Sequence, residues 1–200
     1  MRARLARPGM LAVDTRLARR GFLTLLAATG FAGVAGLPAS AAPAWRTYQP
    51  EGLGFRVELP AEPEISTEQI TGKRYGAITK TIATVEFEDV DIIVVHNEYY
   101  EATPTLHDVV GGIRDDLLQA RLQIVEDKAI TITGVPGREL VLRFTEEGNN
   151  VKGIMQFVLA ANRLLQFNVF RNQPDDLKLE DHPVAGRFLR SVSLLPPLVR

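Results

Sequence analysis

Histidine is scarce in this chain: the 3 it has are His96, His107 and His182, and cysteine is absent. A zinc site wants at least two imidazole or thiolate ligands held close together. The best local pair is His96 with Glu98, two residues apart and therefore on one face of a strand. His182, beside Glu180 and Asp181, would join His96 in a metal site only if the fold brought them together. The blander reading has His96 ending a strand, His107 on an exposed helix face and His182 in a helix's first turn. Without cysteine there is no disulfide framework, thiolate cluster or cysteine nucleophile. Beyond the N-terminal region the serines are Ser66, Ser191 and Ser193, and none sits in G-x-S-x-G or S-x-x-K. The carboxylate pairs Glu86/Glu88, Asp115/Asp116, Glu146/Glu147 and Asp175/Asp176 fall in turns or on helix exteriors, as solvated charge does. Gly111-Gly112 is not a phosphate loop, and neither G-x-G-x-x-G nor a P-loop occurs. No catalytic residue, metal ligand or cofactor is therefore assigned.

One cluster stands out. Glu98-Tyr99-Tyr100-Glu101 follows His96 where a strand leaves its sheet and a helix begins, a place where loops carry binding residues. Tyrosine suits interfaces because one end of its ring is apolar and the other polar. His96, Glu98, Tyr99, Tyr100 and Glu101 are thus the expected partner-binding residues, with Trp45 and Tyr48 as further aromatics. Ordinary edge packing is the competing reading.

The elements that would position this cluster are mostly strands. Trp45–Tyr48 and Phe55–Leu59 read as two short strands, the second alternating Phe55, Val57 and Leu59 with Arg56 and Glu58. Ile65–Ile70, 75–87 and 90–100 follow. Within the last, Ile92-Ile93-Val94-Val95 is an unbroken apolar run, which implies burial on both faces. Thr103-Pro104 reads as an N-cap and first helical proline. Leu106, Val109, Val110, Ile113, Leu117 and Ala120 then recur at helical spacing. Gly111-Gly112 inside this helix implies close approach to the sheet. A meander follows: Lys128–Thr133, a turn over Gly134–Gly137, Arg138–Thr145, Val151–Ala160, a turn at Ala161-Asn162-Arg163, and Leu164–Arg171. A second helix starts near Asp181 and runs to about Arg190, and Ser191–Leu195 closes the fold as a strand. Strands in runs with two helices indicate an α+β fold, a mostly antiparallel sheet sandwiched between helices.

The N-terminal stretch reads as an address. Residues 1–20 hold six arginines against Asp14, residues 21–37 carry no charge, and PASAAPA follows. A basic region, an apolar region and an A-x-A site describe a bacterial signal peptide, here residues 1–41. Ala39-Ser40-Ala41 sets the cleavage, with the mature start at Ala42; a second site at Ala42–Ala44 would start at Trp45. Arg19-Arg20-Gly21-Phe22-Leu23 resembles the twin-arginine export signal, in which Arg19, Arg20, Phe22 and Leu23 are the matching residues. Ordinary Sec export is the alternative. Without residues 1–41 the chain keeps 17 of its 23 basic and 23 of its 24 acidic residues, a net charge of −6. Such a domain does not bind nucleic acid or an anionic membrane surface by its charge. With no linker or repeat after residue 44, residues 45–195 read as one domain and 196–200 as a tail. No stable membrane span remains after cleavage.

Trp45-x-x-Tyr48 and Gly54-Phe55-x-Val57-x-Leu59-Pro60-x-x-Pro63 resemble a class of exported bacterial proteins of unknown function. So do Gly134-Val135-Pro136-Gly137-Arg138-Glu139, Asn162–Phe167 and Arg187-Phe188-Leu189-x-Ser191-Val192. The pattern is similar to the PsbP-like fold, shared by the extrinsic protein of photosystem II and a Ran-binding nuclear import factor family. That resemblance implies an antiparallel sheet between helices and a non-enzymatic accessory or binding role, with no catalytic residues to carry over. The expectation is an exported, periplasmic or secreted accessory protein whose partner is an unknown protein or small ligand. A metal-dependent or hydrolytic periplasmic enzyme and an envelope structural or assembly component are the alternatives.

Overall fold

The computed structural model describes residues 43–72, 74–146, 148–172 and 178–196. The signal and cleavage residues Arg19, Arg20, Phe22, Leu23, Ala39, Ala41 and Ala42, and tail residues 197–200, lie outside them. The elements in chain order are β1 (Arg46–Tyr48), β2 (Phe55–Leu59), β3 (Glu64–Gly72), β4 (Gly76–Phe87), β5 (Val90–Tyr99), α1 (Leu106–Gln119), β6 (Gln123–Ile132), β7 (Val135–Glu146), β8 (Asn149–Ala160), β9 (Arg163–Asn172), a 3₁₀ turn (Leu179–Asp181), α2 (Pro183–Ser191) and β10 (Ser193–Leu194). Seven strands form one sheet in the order β3-β4-β5-β9-β8-β7-β6, and β1, β2 and β10 form a small second sheet. Every pairing is antiparallel.

Alternation along the strands sorts side chains to two faces of the large sheet. On β5 and β9 the residues Ile92, Val94, Leu165, Phe167 and Val169 share one face, packed with Phe55, Val57 and Leu59 of β2 and with Val184 and Phe188 of α2. Phe55 meets Phe167 edge-to-face at 5.6 Å, the geometry that suits two ring quadrupoles. This is the aromatic face. On the other, the helix face, Tyr99, Leu140, Leu142, Met155, Phe157 and Leu164 pack under Val109, Val110, Ile113 and Leu117 of α1. The apolar run in β5 therefore serves two cores, as its lack of alternation implies: Ile92 and Val94 on one side, Val95 on the other.

The fold is α+β and mostly antiparallel, but it is dominated by sheet. A helix covers part of one face, while the small sheet takes much of the other beside the short α2. Several local expectations are corrected by backbone chemistry. Thr105, not Thr103, caps α1, its hydroxyl accepting from the Asp108 N–H at 3.1 Å; Pro104 precedes the helix. The β6–β7 turn is the two residues Thr133-Gly134, with φ of 48° and 81°. Val135 and Pro136 are already paired with β6. A two-residue turn with both φ positive matches the twist of a hairpin better than a four-residue loop does. Gly112 is buried, but a Cβ on Gly111 would meet nothing within 4 Å, so close approach does not account for that glycine. Gly153 does need to be glycine, since a Cβ there would lie 2.5 Å from the Phe170 ring. α2 begins at Pro183, with His182 rather than Asp181 at its cap. Among the described residues no helix is long and apolar enough to cross a membrane.

Candidate functional site

β5 and β9 run side by side so that Glu98 stands opposite Arg163. Their pairing brings together groups 65 residues apart. Arg163 Nη2 and Nε donate to Glu98 Oε1 at 3.0 and 3.2 Å, and Nη1 donates to the Gly52 carbonyl in the β1–β2 loop at 2.5 Å. The arginine thus ties three segments together. Glu98 Oε2 remains for Tyr100, whose Oη lies 3.1 Å from it and 3.1 Å from Thr79 Oγ1 on β4. A phenol has one proton to give. It goes to the carboxylate, and the Thr79 hydroxyl is then the donor in the second contact. Burial alone would raise the Glu98 pKa. The hydrogen bonds from Arg163 and Tyr100, with the arginine's charge, outweigh it and hold the carboxyl below its ordinary range.

Beyond Tyr100 the chain folds back on β4. The Tyr100 N–H donates to the Ala77 carbonyl at 3.3 Å, and Glu101 Oε1 accepts from the Ala77 N–H at 3.3 Å. The Glu101 carboxylate lies where a Cβ on Gly76 would fall, 2.1 Å from its Oε2, and Gly76 has φ +69°. The Asn162 side chain donates to the Tyr99 carbonyl at 2.8 Å. One end of the sheet is therefore a junction of the β1–β2 loop, the start of β4, the exit of β5 and the β8–β9 turn, and Tyr100 lies on it 58% exposed.

The five residues singled out in the sequence are divided by this geometry. Glu98, Tyr100 and Glu101 lie together at the junction. His96 and Tyr99 are each 2% exposed and lie in the core. Tyr99 points to the helix face, where its ring meets Tyr75 at 5.8 Å. His96 shares a face with Glu98 but lies one step further in, between Thr81 and Leu165, and neither ring nitrogen has a hydrogen-bond partner. Burial, reinforced by the Arg163 charge, lowers its pKa to about 4, so the imidazole is neutral near pH 7. Trp45 and Tyr48 belong elsewhere, at the edge of the aromatic core, with Arg187 stacked 4.2 Å over the Trp45 ring.

Three groups escaped the sequence reading: Arg163, Thr79 and the Gly52 carbonyl. Strand register brings Arg163 and Thr79 to Glu98, and the β1–β2 loop brings the Gly52 carbonyl to Arg163; no local motif encodes either. The arrangement offers a fixed phenol, an ionised carboxylate neutralised by arginine and several backbone groups, which suits recognition. It pairs no nucleophile with a base. His182 is occupied in capping α2, accepting from the Ala185 N–H at 3.4 Å, with Asp89 3.7 Å from Nε2. Ser191 Oγ donates to the Phe188 carbonyl and accepts from the Glu58 N–H. Among the described residues no three His, Cys, Asp or Glu side chains are grouped so as to hold a metal ion.

No protein-family profile matches the chain, and no curated protein matches it in sequence. Solved structures do. Cyanobacterial PsbP from Synechocystis sp. PCC 6803 is 12% identical, with 84% of this chain and 98% of that one covered at a TM-score of 0.52. LpqN of Mycobacterium tuberculosis, a protein involved in cell envelope biogenesis, is 13% identical over 76% of this chain and 91% of its own, at a TM-score of 0.48. The immunity protein TplEi of the Pseudomonas aeruginosa type VI secretion system is 12% identical over 62% and 47%, at 0.43. The latter two are looser likenesses, below the level at which shape alone is informative. The long sheet, the small sheet beside it and the near-complete coverage of the cyanobacterial protein together make this a PsbP-like fold.

Proposed function

We propose that the protein is an exported, non-enzymatic binding or accessory protein of the periplasm, and that its partner, a protein or small ligand, docks on the Tyr100 junction. The observation that carries this reading is Tyr100 itself. It is 58% exposed, yet both Thr79 and Glu98 hold its hydroxyl. An aromatic ring already fixed in place loses little conformational entropy on binding, so its contact area converts well into affinity. α2 and the small sheet together stand in for a second helical layer over the large sheet. Export rests on Arg19-Arg20-x-Phe22-Leu23, with cleavage after Ala41.

Three experiments test the proposal. A photo-crosslinking amino acid in place of Tyr100 in the full-length chain, expressed in cells, traps a defined adduct, whereas the same probe at exposed Gln119 on α1 does not. Equal trapping at both positions refutes the junction. Tyr100→Ala weakens recovery of the trapped partner by roughly 1–2 kcal/mol, as a modest hot spot does, with the circular dichroism unchanged. For export, Arg19→Lys with Arg20→Lys leaves the precursor unprocessed in the cytoplasm. Processing that continues, and stops only when Sec is blocked, overturns the twin-arginine assignment.

A further inference from the structure

The large sheet is open, so it has two edges, β3 and β6. An edge presents unpaired N–H and C=O groups to any strand that passes, and proteins blunt edges with bulges, charges, prolines or a covering element. β6 uses three of these devices. Its register slips between Ile124 and Glu126. It carries Glu126, Asp127 and Lys128 in succession, with Lys128 bridging Glu126 and Glu139. Arg114 reaches down from α1 to Asp127.

Among the described residues β3 has only charge of these devices, in Glu64 and Glu68. It pairs with β4 without a break from Glu64↔Thr84 to Gly72↔Gly76. Seven of its nine residues are exposed. It contains no proline, lysine or arginine, and Ile65, Thr67, Ile70 and Thr71 are branched residues that favour an extended chain. Ile65 is 54% exposed on one side of the strand. On the other side Glu64 and Glu68 stand four residues apart, and Glu68 is partly neutralised by Lys80 at 3.2 Å. Without residues 1–41 the chain carries a net charge of −6. A second copy would therefore set this acidic edge against itself.

We propose that β3 is a docking edge that accepts, by strand addition, an extended segment of a partner protein with basic side chains four residues apart and a branched apolar residue next to one of them. Main-chain hydrogen bonds supply affinity in such a complex, and alternate side chains supply specificity. The basic residues lie opposite Glu64 and Glu68 and the apolar one opposite Ile65. The edge is separate from the Tyr100 junction, and either can fail without the other.

The test uses the full-length chain and a fluorescent, end-blocked peptide, Thr-Thr-Val-Thr-Lys-Thr-Thr-Ile-Lys, written to lie antiparallel along β3. Fluorescence anisotropy gives saturable binding, and hydrogen exchange gives new protection at 64–72 and none on β6. Glu64→Lys weakens binding roughly tenfold, since a favourable cross-strand pair becomes a like-charge pair, and that variant then prefers the peptide in which only the C-terminal lysine, the one opposite position 64, is replaced by glutamate. Ile65→Lys abolishes binding while the melting temperature holds, because the side chain is exposed. Absence of saturable binding, protection appearing on β6, or affinity indifferent to Glu64→Lys each overturns the proposal. A dimer in sedimentation that the peptide disperses assigns the edge to a second copy instead, which also overturns it.

Discussion

The two faces of the large sheet are built from the same strands and do different work. Among the described residues the aromatic face buries twenty in one continuous cluster against eleven on the helix face, so it supplies the larger share of their apolar burial. The helix face instead buries three amides, Asn97, Gln166 and Asn168, each no more than 6% exposed. Asn97 Oδ1 and Asn168 Oδ1 have no hydrogen-bond partner, and on the aromatic face the His96 ring nitrogens, Gln156 Oε1 and Arg171 Nη1 have none. β5 displays the contrast in ten residues: Ile92, Val94 and His96 face one way, Asp91, Val95 and Asn97 the other. Adjacent positions of one strand are thus held to different rules, set by what lies above each face.

The largest effect belongs to the aromatic face. Val94→Asp puts an unpaired charge into a site 2% exposed and is expected to abolish folding, read as loss of near-ultraviolet circular dichroism. A folded Val94→Asp protein would mean that this core is far looser than its packing. Next comes truncation on each side. Phe167→Ala costs about 3–5 kcal/mol, and Leu117→Ala on α1 falls in the lower part of about 2–5 kcal/mol, both from urea denaturation. The reverse order would move the stability to the helix face.

Acid separates the faces by sign. The folded pKa of His96, about 4, lies below its ordinary 6.5. Its neutral form is favoured by the fold, so stability is intact above pH 6.5 and is lost as pH falls toward 4, by at most about 3 kcal/mol. Asp91 behaves in the opposite way. Burial first, then the charges of Glu86 and Glu146, raise its pKa from 3.8 to about 6. The protonated form is favoured by the fold, so Asp91 contributes stability below pH 3.8 that is lost as pH rises through 6. The two offset each other across about pH 4–6. His96→Leu should therefore leave a protein that gains stability on mild acidification, while Asp91→Asn should steepen the acid loss. Parallel pH profiles in both variants would contradict the assignment. The smallest effect is Asn168→Leu. Replacing an under-satisfied buried amide by an apolar group of similar size is neutral or stabilising, within about 1 kcal/mol, as thermal melts should show.

Much of this plan was legible in the sequence, because strand alternation and turn residues act locally. The alternation over Phe55–Leu59 coincides with β2, and the unbroken Ile92–Val95 run matches a strand covered on both faces. The cap of α1 was less clear, because threonines flank Pro104 on both sides. The deciding signal was Asp108, three residues after Thr105, as in a capping box. The candidate site was legible only in part. The period of two already separates Tyr99 from Glu98 and His96, so the five residues could not share one surface. Arg163 and Thr79 reach Glu98 through the β5–β9 and β4–β5 registers, which depend on how the whole sheet assembles. The buried amides on β9 were hidden for a different reason: Gln166 and Asn168 alternate with Leu165, Phe167 and Val169, as solvent-facing residues would, and only α1 and the neighbouring strands exclude water from them.

The small sheet sets an order on folding. Most pairings in the large sheet join neighbours in sequence through short turns, so these hairpins form from local segments; β5 with β9 is the long-range exception. β2, by contrast, lies between β1 and β10, and the Leu195 N–H closes on the Gly54 carbonyl at 2.8 Å. That strand cannot be completed until the chain has been synthesised through Leu195. Until then Phe55, Phe167 and Phe188 lack their full cover. A nascent or C-terminally clipped chain would therefore show chaperones and proteases a greasy flank that the finished protein hides.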